Sequence, residues 1–462
     1  MAVRYPAPPE TDQLVSYRRY AAQLRSIRES DPIVLGADAD LMAFDAEAMM
    51  DLMTDSNGYH FYESRGDSLP PVAQPGTEEA TELLKQCLAL TNQSHPYAQH
   101  LIIHSTEMSN VEAETAIQVA AHLARQMAPL QAQHLQHMTT HTFLRTGFYH
   151  EAVVNNAIAV HSDATFLQHD VLPYGPGHNS VFLIAAAMWG GERAIAYRYA
   201  NVMQGIFQAA PGRPDGPNGQ MAWGYPMVVA LRFGDWSRVA ELDVAPPGNF
   251  SAAWPYGYGV NRHFSRAIAS LRLGNKTAAE AEAQALKRLL PEVEAQSVKL
   301  FNLTRIANMT VTAALAHARG DLATALDAMS QAVAQEMAMP YSEPPPQLLP
   351  TRECYGRLLL EAGQVKEAEA VFRAALYGFS FHAEPRCGWA LFGLQVALEA
   401  QQHVDPTEER AQEIQNLTQT ISVAWRFADV LLETSCHLFG NFTLSAPPRR
   451  RFAVSHEAKL EG

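Results

Sequence analysis

The sequence predicts an all-α protein built as a right-handed solenoid of helix pairs. Glycine-ended turns recur at spacings of about 40 to 46 residues, a near-constant period typical of α-solenoids; these turns end at Gly147, Gly190, Gly234, Gly274, Gly320 and Gly363. An alanine-rich helix is expected after each turn, as in Leu322–Asp327. Because glycine adopts positive φ without strain at a helix C-terminus, we expect positive φ at Gly147, Gly234 and Gly363.

The first part of the chain, residues 1–95, is predicted to be an irregular helical N-terminal cap. Helices are expected over Thr11–Glu29 and over Asp38–Met53, the second on an apolar stripe. A polar loop rich in Gly, Pro and aromatic residues spans Thr54–Gly76. A third helix, Thr77–Leu90, is predicted to be capped by its threonine, with two glutamates in the first turn where carboxylates favour the helix dipole.

The solenoid itself is assigned to residues 96–400. Capping helices are expected over residues 401–446, and a mobile basic tail over residues 447–462, opening with Pro-Pro-Arg-Arg-Arg. In such an array the first helices of successive pairs stack side by side on the concave face. The helix that ends at Gly147 is one such first helix, and the second helix of its pair is expected to begin at Phe148.

Histidines concentrate on these first helices. Eleven of the 18 histidines lie between His95 and His178. Two pairs are spaced by four residues, His100 with His104 and His137 with His141, so each pair lies on one face of its helix, one turn apart. His178 opens the comparable helix one pair later. Because the helices are consecutive first helices, the two pairs are predicted to be neighbours.

This arrangement predicts a metal site. Neutral imidazoles one helical turn apart can bind one ion together, as in HExxH zinc sites. We expect the two pairs to converge on a divalent transition metal (Cu, Fe or Zn), with His178 as a further ligand. Glu107, one turn beyond His104, is the candidate catalytic residue, as proton acceptor. The alternative is a set of half-buried histidines that bind backbone and one another without metal.

A second candidate group lies late in the chain. Glu343 and Arg352 flank the opening of a late first helix, and they are predicted to bind substrate, with Arg352 clamping a carboxylate or phosphate. The alternative is that they pair to fix the proline-rich loop to the next helix.

The chain resembles a bacterial-type family of divergent tetratricopeptide-repeat proteins. The resemblance runs from about residue 15 to about 400, and the matching segments are His100–Glu107, His137–Phe143, Gly177–Asn179, Tyr341–Pro345 with Pro350–Arg352, and Gly388–Gly393. It implies a solenoid of tetratricopeptide type but names no activity. The chain departs from the family pattern at Val181, where a histidine is usual, and at Gln347, where an aromatic residue is usual.

Composition excludes several function classes. A formal charge of −14 argues against a nucleic-acid partner, since phosphate binding needs a basic surface. The sequence contains no apolar run of the roughly 20 residues that a membrane span needs, and no apolar segment typical of a signal peptide near residue 1. The four cysteines show no CxxC spacing, so neither a disulfide framework nor a zinc ribbon is expected, and a cytoplasmic location is the default. Sequence motifs of hydrolase elbows, nucleotide loops and redox dithiols are absent.

Two hypotheses about function remain. The first is a metal-dependent enzyme that acts on a small molecule in a histidine-lined concave groove. The second is a scaffold that binds a peptide or protein partner in the groove, as solenoids commonly do. Three consecutive repeats carry the histidines, and this favours a localised pocket and the first hypothesis.

Overall fold

The computed structural model describes residues 12–55, 58–169, 177–209, 223–245, 255–295, 297–343 and 346–440. These residues are overwhelmingly helical and follow one another as helix pairs, so the predicted all-α solenoid class is confirmed. The right-handed sense of the superhelix stays a prediction, and the predicted basic tail, 447–462, lies outside the described residues.

The helices of the described residues are α1 (Gln13–Ser30), α2 (Ala39–Asp51), α3 (Thr77–Leu90), α4 (Pro96–Glu107), α5 (Asn110–Thr115), α6 (Ile117–Met127), α7 (Gln133–Arg145), α8 (Tyr149–Gln168), α9 (His178–Gly190), α10 (Arg193–Ala209), α11 (Tyr225–Phe233), α12 (Arg238–Leu242), α13 (Pro255–Arg272), α14 (Lys276–Glu294), α15 (Val298–Ala318), α16 (Leu322–Met337), α17 (Thr351–Glu361), α18 (Val365–Tyr377), α19 (Gly388–Val404) and α20 (Glu408–Ala424). Several begin on a side-chain oxygen that accepts a backbone N–H of the first turn; these caps are Asp12, Asp38, Asn275, Ser297, Asp321 and Thr407.

The loop predicted between the second and third helices contains two short antiparallel strand pairs. Strand β1 (Thr54–Asp55) pairs with β2 (Gly58–Tyr59), and β3 (Tyr62–Glu63) pairs with β4 (Val72–Ala73). The predicted threonine cap of α3 is wrong. Gly76 occupies the cap position with φ 98°, and the Thr77 hydroxyl donates to the Phe61 carbonyl instead, which ties α3 to the loop.

The chain divides into two compact units. Unit 1 comprises Met1–Thr146 with Gly378–Phe381, and unit 2 comprises Gly147–Tyr377 with His382–Gly462. The boundaries assigned from sequence, after residues 95 and 400, stay predictions. In unit 1, helices α1 to α4 pack in sequence order, and α4 then packs against both α6 and α7. The helices that carry the two histidine pairs are therefore neighbours, as the repeat predicts.

In unit 2, consecutive helices pack on one another from α8 to α11 and from α13 to α20, and α12 packs between α11 and α13. Helix α9 also packs on α19, which comes much later in the chain. The Trp389 indole Nε1 donates to the Met188 carbonyl at 3.0 Å across this return contact. Beside it the Arg232 guanidinium makes a bidentate pair with the buried Glu353 carboxylate, and Arg232 lies 4.5 Å over the Trp389 ring. Helices of unit 2 that are far apart in the sequence therefore pack together in a core that contains a buried ion pair.

Glycine turns occur where they are predicted, with one exception. Gly147, Gly234 and Gly363 have φ values of 77°, 74° and 74°, so the expected positive φ is confirmed. The turn assigned to Gly190 is wrong by one residue: α9 runs through Gly190, and Gly191 has the positive φ of 76°.

Residues 425–440, which we call the C-terminal strap, follow α20 without helical structure. The Asp429 carboxylate accepts from the backbone N–H groups of Arg193 and Ala194 at 2.6 and 2.8 Å, so it caps α10. A disulfide joins Cys354 of α17 to Cys436 of the strap. The expectation that the cysteines form no disulfide is therefore wrong, because the fold brings together two cysteines 82 residues apart that no local spacing reveals.

None of the helices in the described ranges combines the length and apolarity needed to cross a membrane.

Candidate metal centre

The centre lies in unit 1 and is carried by α4 and α7. His95 starts α4: its ring Nδ1 accepts from the Ala98 backbone N–H at 3.1 Å, and its Nε2 lies 2.9 Å from an Asp40 oxygen. Pro96 occupies the first turn, where its missing N–H has no helical partner to lose. Helix α7 carries the second histidine pair and ends just before the Gly147 turn. Because the two helices pack together, their i and i+4 side chains meet.

Five imidazoles form a closed ring of contacts between these helices. Going round the ring, the centroid separations are 5.0 Å from His100 to His134, 6.2 Å to His137, 4.8 Å to His141, 5.5 Å to His104 and 4.9 Å back to His100. The side chains of His104, His137 and His141 are buried, and the other two are partly buried. All four histidines of the two predicted pairs are thus brought together.

Glu107 joins the two helices through its carboxylate. Oε1 lies 2.7 Å from Nδ1 of His104, and Oε2 lies 2.5 Å from Nδ1 of His141. A carboxylate accepts and does not donate, so both imidazoles must donate N–H from Nδ1. In a neutral imidazole this leaves Nε2 as the lone-pair nitrogen. One carboxylate therefore fixes the tautomer and ring orientation of two histidines, as second-shell carboxylates do at metal sites.

Within the second pair, Nε2 of His137 and Nε2 of His141 are 2.9 Å apart. Without metal, this contact is a hydrogen bond from His137 to the lone pair of His141. With metal–nitrogen bonds of about 2.0–2.1 Å, two ligands on one ion also lie about 3 Å apart. The same geometry therefore serves a metal-free and a metal-bound pair.

The charges of the cluster follow from burial and contact. Burial, together with the neighbouring histidines, holds the pKa of His100 well below 6.5. Burial lowers the pKa of His134 to about 4, helped by His104 and His141. Burial would raise the pKa of Glu107, but the two histidines that donate to it outweigh burial and hold this pKa well below 4.5. The centre thus combines two imidazoles that burial holds neutral, those of His100 and His134, with an ionised carboxylate.

His100 is the residue whose environment least resembles an ordinary buried side chain. Within the part of the chain that the structure describes, both of its ring nitrogens are buried and neither has a hydrogen-bond partner. Buried polar atoms without a partner are rare in native proteins. One ligand atom each from His100, His104 and His134 lies within 4.8 Å of the others. A cation among these three rings would give His100 the partner that it lacks, so the residues fit a metal ion.

Two residues that contribute to the centre, His134 and Arg145, are not among the site residues predicted from the sequence. His134 precedes His137 by three residues, so the same helical spacing places it one turn away on α7, and this signal was available. Arg145 carried no such signal: its Nε donates to the Glu107 carbonyl at 3.0 Å and its Nη1 to the Phe381 carbonyl at 2.7 Å. It fixes the end of α4 to the segment 378–381 that returns to unit 1.

The remaining candidate residues lie in unit 2. His178 is the first residue of α9 and packs edge-on against Phe182 at 5.2 Å; its role as ligand stays a prediction. Arg352 is buried in the first turn of α17 and donates to the Ala374 carbonyl at 3.2 Å, while Glu343 lies before that helix. Their predicted role in substrate binding likewise stays a prediction.

Comparisons with known proteins add little to this geometry. No protein-family model matches the chain, and no curated protein matches it. Among solved structures, the chain is similar to "Structure of Naa15/Naa10 bound to HypK-THB", with 12% sequence identity and a TM-score of 0.20, over 89% of this chain and 74% of that chain. A TM-score of this size carries no argument about function. The helical-repeat fold is established by the helix pairs themselves, and membership of the tetratricopeptide-repeat family stays a prediction.

Proposed function

We propose that the five-histidine cluster of unit 1 binds a divalent transition metal ion and that the protein is a metal-dependent enzyme acting on a small molecule there. The observation that carries the proposal is Glu107, whose two oxygens orient His104 and His141 so that each offers Nε2 as a ligand. Carboxylates in the second shell of metal sites fix the tautomers of metal-binding histidines in this way. Imidazole nitrogens without thiolates favour Zn, Cu or Fe.

Two groups of nitrogens can supply the ligands. His100, His104 and His134 form one group, and their ligand atoms must draw together from as much as 4.8 Å to about 3 Å to share an ion. The pair of His137 and His141 forms the other group and already has that separation. Glu107 lies between the two groups and contacts one histidine of each. We propose that His104 and His141 are the central ligands and that the other three complete the coordination.

When bound, such an ion acts as a Lewis acid on a water or substrate oxygen. The residues of the chain supply the other requirements. The buried rings exclude bulk water, which strengthens electrostatic interactions within the site. Glu107 contacts two of the histidines through its carboxylate, so it is the proposed proton acceptor of the centre.

The test is metal analysis of protein purified without a histidine tag and reconstituted separately with Zn, Cu, Fe, Mn, Co and Ni. We expect bound metal in the wild type and loss of binding in His104→Ala and His141→Ala. His403→Ala is the matched control, because His403 is exposed on α19 and far along the chain from the cluster. With Co, the visible absorption spectrum should report nitrogen ligation and should change in His100→Ala.

Melting temperatures separate lost ligation from lost folding. The variants should melt close to the metal-free wild type, because the helical core does not depend on the ion. If the wild type retains no metal above the level of a control protein, the enzyme proposal fails. The alternative, a scaffold that binds a peptide or protein partner without catalysis, would then be the better account.

A further inference from the structure

A second site lies in unit 2, independent of the histidine cluster. A cavity of about 430 Å³ opens between the start of α8, the end of α9 and one face of α20. Its volume lies in the range of small-molecule pockets. Its lining mixes charge and aromatic surface: Phe148, His150, Glu192, Arg386, Arg426 and Phe427.

Glu192 is the feature that points to a ligand. This residue is only 3% exposed, and it lines the cavity. One carboxylate oxygen, Oε2, is 3.1 Å from Nδ1 of His150. The other, Oε1, is buried and has no hydrogen-bond partner within the described ranges. Burial raises the pKa of Glu192 against the effect of His150, which shows how poorly the carboxylate is compensated.

The carboxylate is held in place by a rigid support. The His150 ring stacks on the Phe427 ring at 3.6 Å with an interplanar angle of 15°. The backbone N–H of Glu192 donates to the Ala187 carbonyl as α9 ends, and the Glu192 carbonyl accepts from Ala196 in α10. Gly190, which also lines the cavity, lies next to this carboxylate, since a Cβ there would be 3.4 Å from Oε1. The carboxylate that carries the unpaired oxygen is therefore part of the cavity wall.

Two arginines bring positive charge to the lining of the same cavity. The Arg386 guanidinium lies 4.5 Å from the centroid of Phe148, and that of Arg426 lies 4.7 Å from the centroid of Phe427. Arg426 also pairs with Glu151 at 3.2 Å, and its side chain is 47% exposed. A guanidinium carries five N–H donors in a fixed fork, a geometry that matches a carboxylate. The site thus combines a buried acceptor, Glu192, with two cationic donors, the half-buried Arg386 and the exposed Arg426.

We propose that this cavity binds a small zwitterion of the free amino-acid class. The ammonium group donates to Oε1 of Glu192, the carboxylate accepts from Arg386 and Arg426, and an apolar side chain lies among the aromatic rings. A simple cation is disfavoured because two guanidinium groups already occupy the faces of Phe148 and Phe427. A simple anion is disfavoured because it leaves the buried Glu192 oxygen without a donor.

Calorimetric titration with L-phenylalanine, L-leucine and L-methionine tests the proposal. We expect at least one of the three to bind. For L-phenylalanine, the matched analogues are 2-phenylethylamine, which lacks the carboxylate, and 3-phenylpropanoate, which lacks the ammonium group. Each analogue should bind about tenfold more weakly or worse, because each loses a charged hydrogen bond. For the other two amino acids the corresponding amine and carboxylate are used.

Two variants locate the binding. Glu192→Gln should weaken it by about tenfold or more, since the amide cannot pair with an ammonium group as a charge. Thr420→Trp fills the cavity from the exposed face of α20 and should abolish binding without disturbing the core. Gln415→Trp places the same bulk at an exposed position of α20 that does not line the cavity, and it should bind as the wild type does.

Three results would overturn the proposal. These are no binding of any of the three amino acids to folded wild type, unchanged binding by Thr420→Trp, and equal affinity for the analogue that lacks the ammonium group. His104→Ala removes a proposed metal ligand and should leave amino-acid binding unchanged. Failure of the metal proposal and failure of this one are therefore distinguishable.

Discussion

Glu107 is an ionised group almost completely removed from water, with 1% of its surface exposed. An isolated buried carboxylate would take up a proton to avoid the loss of hydration. Here two imidazole N–H groups, from His104 and His141, stabilise the charged form. Its importance therefore lies in the protons that it holds in place on two rings.

Replacing Glu107 by Gln should separate this role from packing. The amide keeps the shape but presents one nitrogen to an imidazole N–H, so one ring loses its acceptor. We expect metal affinity to fall by about 10- to 100-fold and the free energy of unfolding to fall by about 1–3 kcal/mol. Chelator competition and urea denaturation measure the two effects. Glu82→Gln, at an exposed position of α3, should change neither; an unaltered affinity in Glu107→Gln would refute the second-shell role.

The lowered pKa values of His100 and His134 predict how stability depends on pH. In the unfolded chain both histidines titrate near their ordinary value of about 6.5, while folded His134 titrates near 4. Between these values the unfolded state binds more protons, so stability rises with pH and is lost as pH falls from about 6.5 towards 4. The free energy of unfolding of the metal-free protein should therefore decrease as the pH is lowered through this window. The double variant His100→Phe with His134→Phe should show a flatter profile in urea denaturation at a series of pH values; an identical slope would count against the assignment.

At the scale of single elements, the turn glycines show what a sequence pattern can and cannot resolve. Gly147 and Gly363 look equivalent in the repeat and have similar φ values, 77° and 74°. Their surroundings differ. A Cβ on Gly363 would meet nothing within 4 Å, whereas one on Gly147 would lie 2.1 Å from the Pro385 carbonyl oxygen.

Alanine at these two turns should have unequal effects. Gly363→Ala should cost about 1–2 kcal/mol, the penalty of left-handed backbone for a residue with a Cβ. Gly147→Ala should lose about 1–3 kcal/mol more, because Pro385 must move. Thermal and chemical denaturation of both variants give the comparison. Equal losses would mean that the close contact with Pro385 is not formed in solution.

Much of the helical architecture follows from local signals in the sequence. The bounds of α3 were predicted correctly, and Gln13–Ser30 and Ala39–Asp51 lie within two residues of prediction. The contact of α4 with α7 follows from the repeat period. Phe372 was not predictable, because its ring fills the space left by Gly356 on α17 and Gly393 on α19, two glycines that no turn requires.

The candidate metal centre likewise has a part that the sequence predicts and a part that it does not. Helical spacing placed four histidines together, but the bridge by Glu107 depends on the axial register of α4 against α7, which side-chain packing determines. The Cys354–Cys436 disulfide and the contact between Met188 and Trp389 join parts of the chain far apart in sequence. A periodic pattern reports contacts between neighbouring repeats only, so such long-range contacts cannot be read from it.

At the scale of the whole molecule, the disulfide predicts how many cysteine thiols react before and after reduction. Protein unfolded without reductant should show two reactive thiols, from Cys87 and Cys387, and reduction should expose those of Cys354 and Cys436 as well. Reduction, or Cys436→Ser, should lower the free energy of unfolding by about 2–4 kcal/mol. Cys87→Ser, at a free cysteine, leaves the disulfide intact, so this variant should be destabilised by reductant as the wild type is, whereas Cys436→Ser should not respond to it. Four reactive thiols in unreduced protein would support the predicted cytoplasmic location.

The C-terminal strap has a consequence for how the protein is made. Asp429 caps a helix that begins 236 residues earlier, at Arg193, so α10 leaves the ribosome long before its cap is synthesised. Most repeat arrays can fold progressively from the N-terminus, since each repeat contacts only its neighbours. Helix α10 instead lacks its cap until the strap has been synthesised, so we expect the first helices of unit 2 to be accessible to chaperones and proteases until then. Ribosome-bound chains stalled before residue 425 should be cleaved within α9 and α10, and chains that extend past the strap should be protected; early protection would show that the first helices of unit 2 mature without the strap.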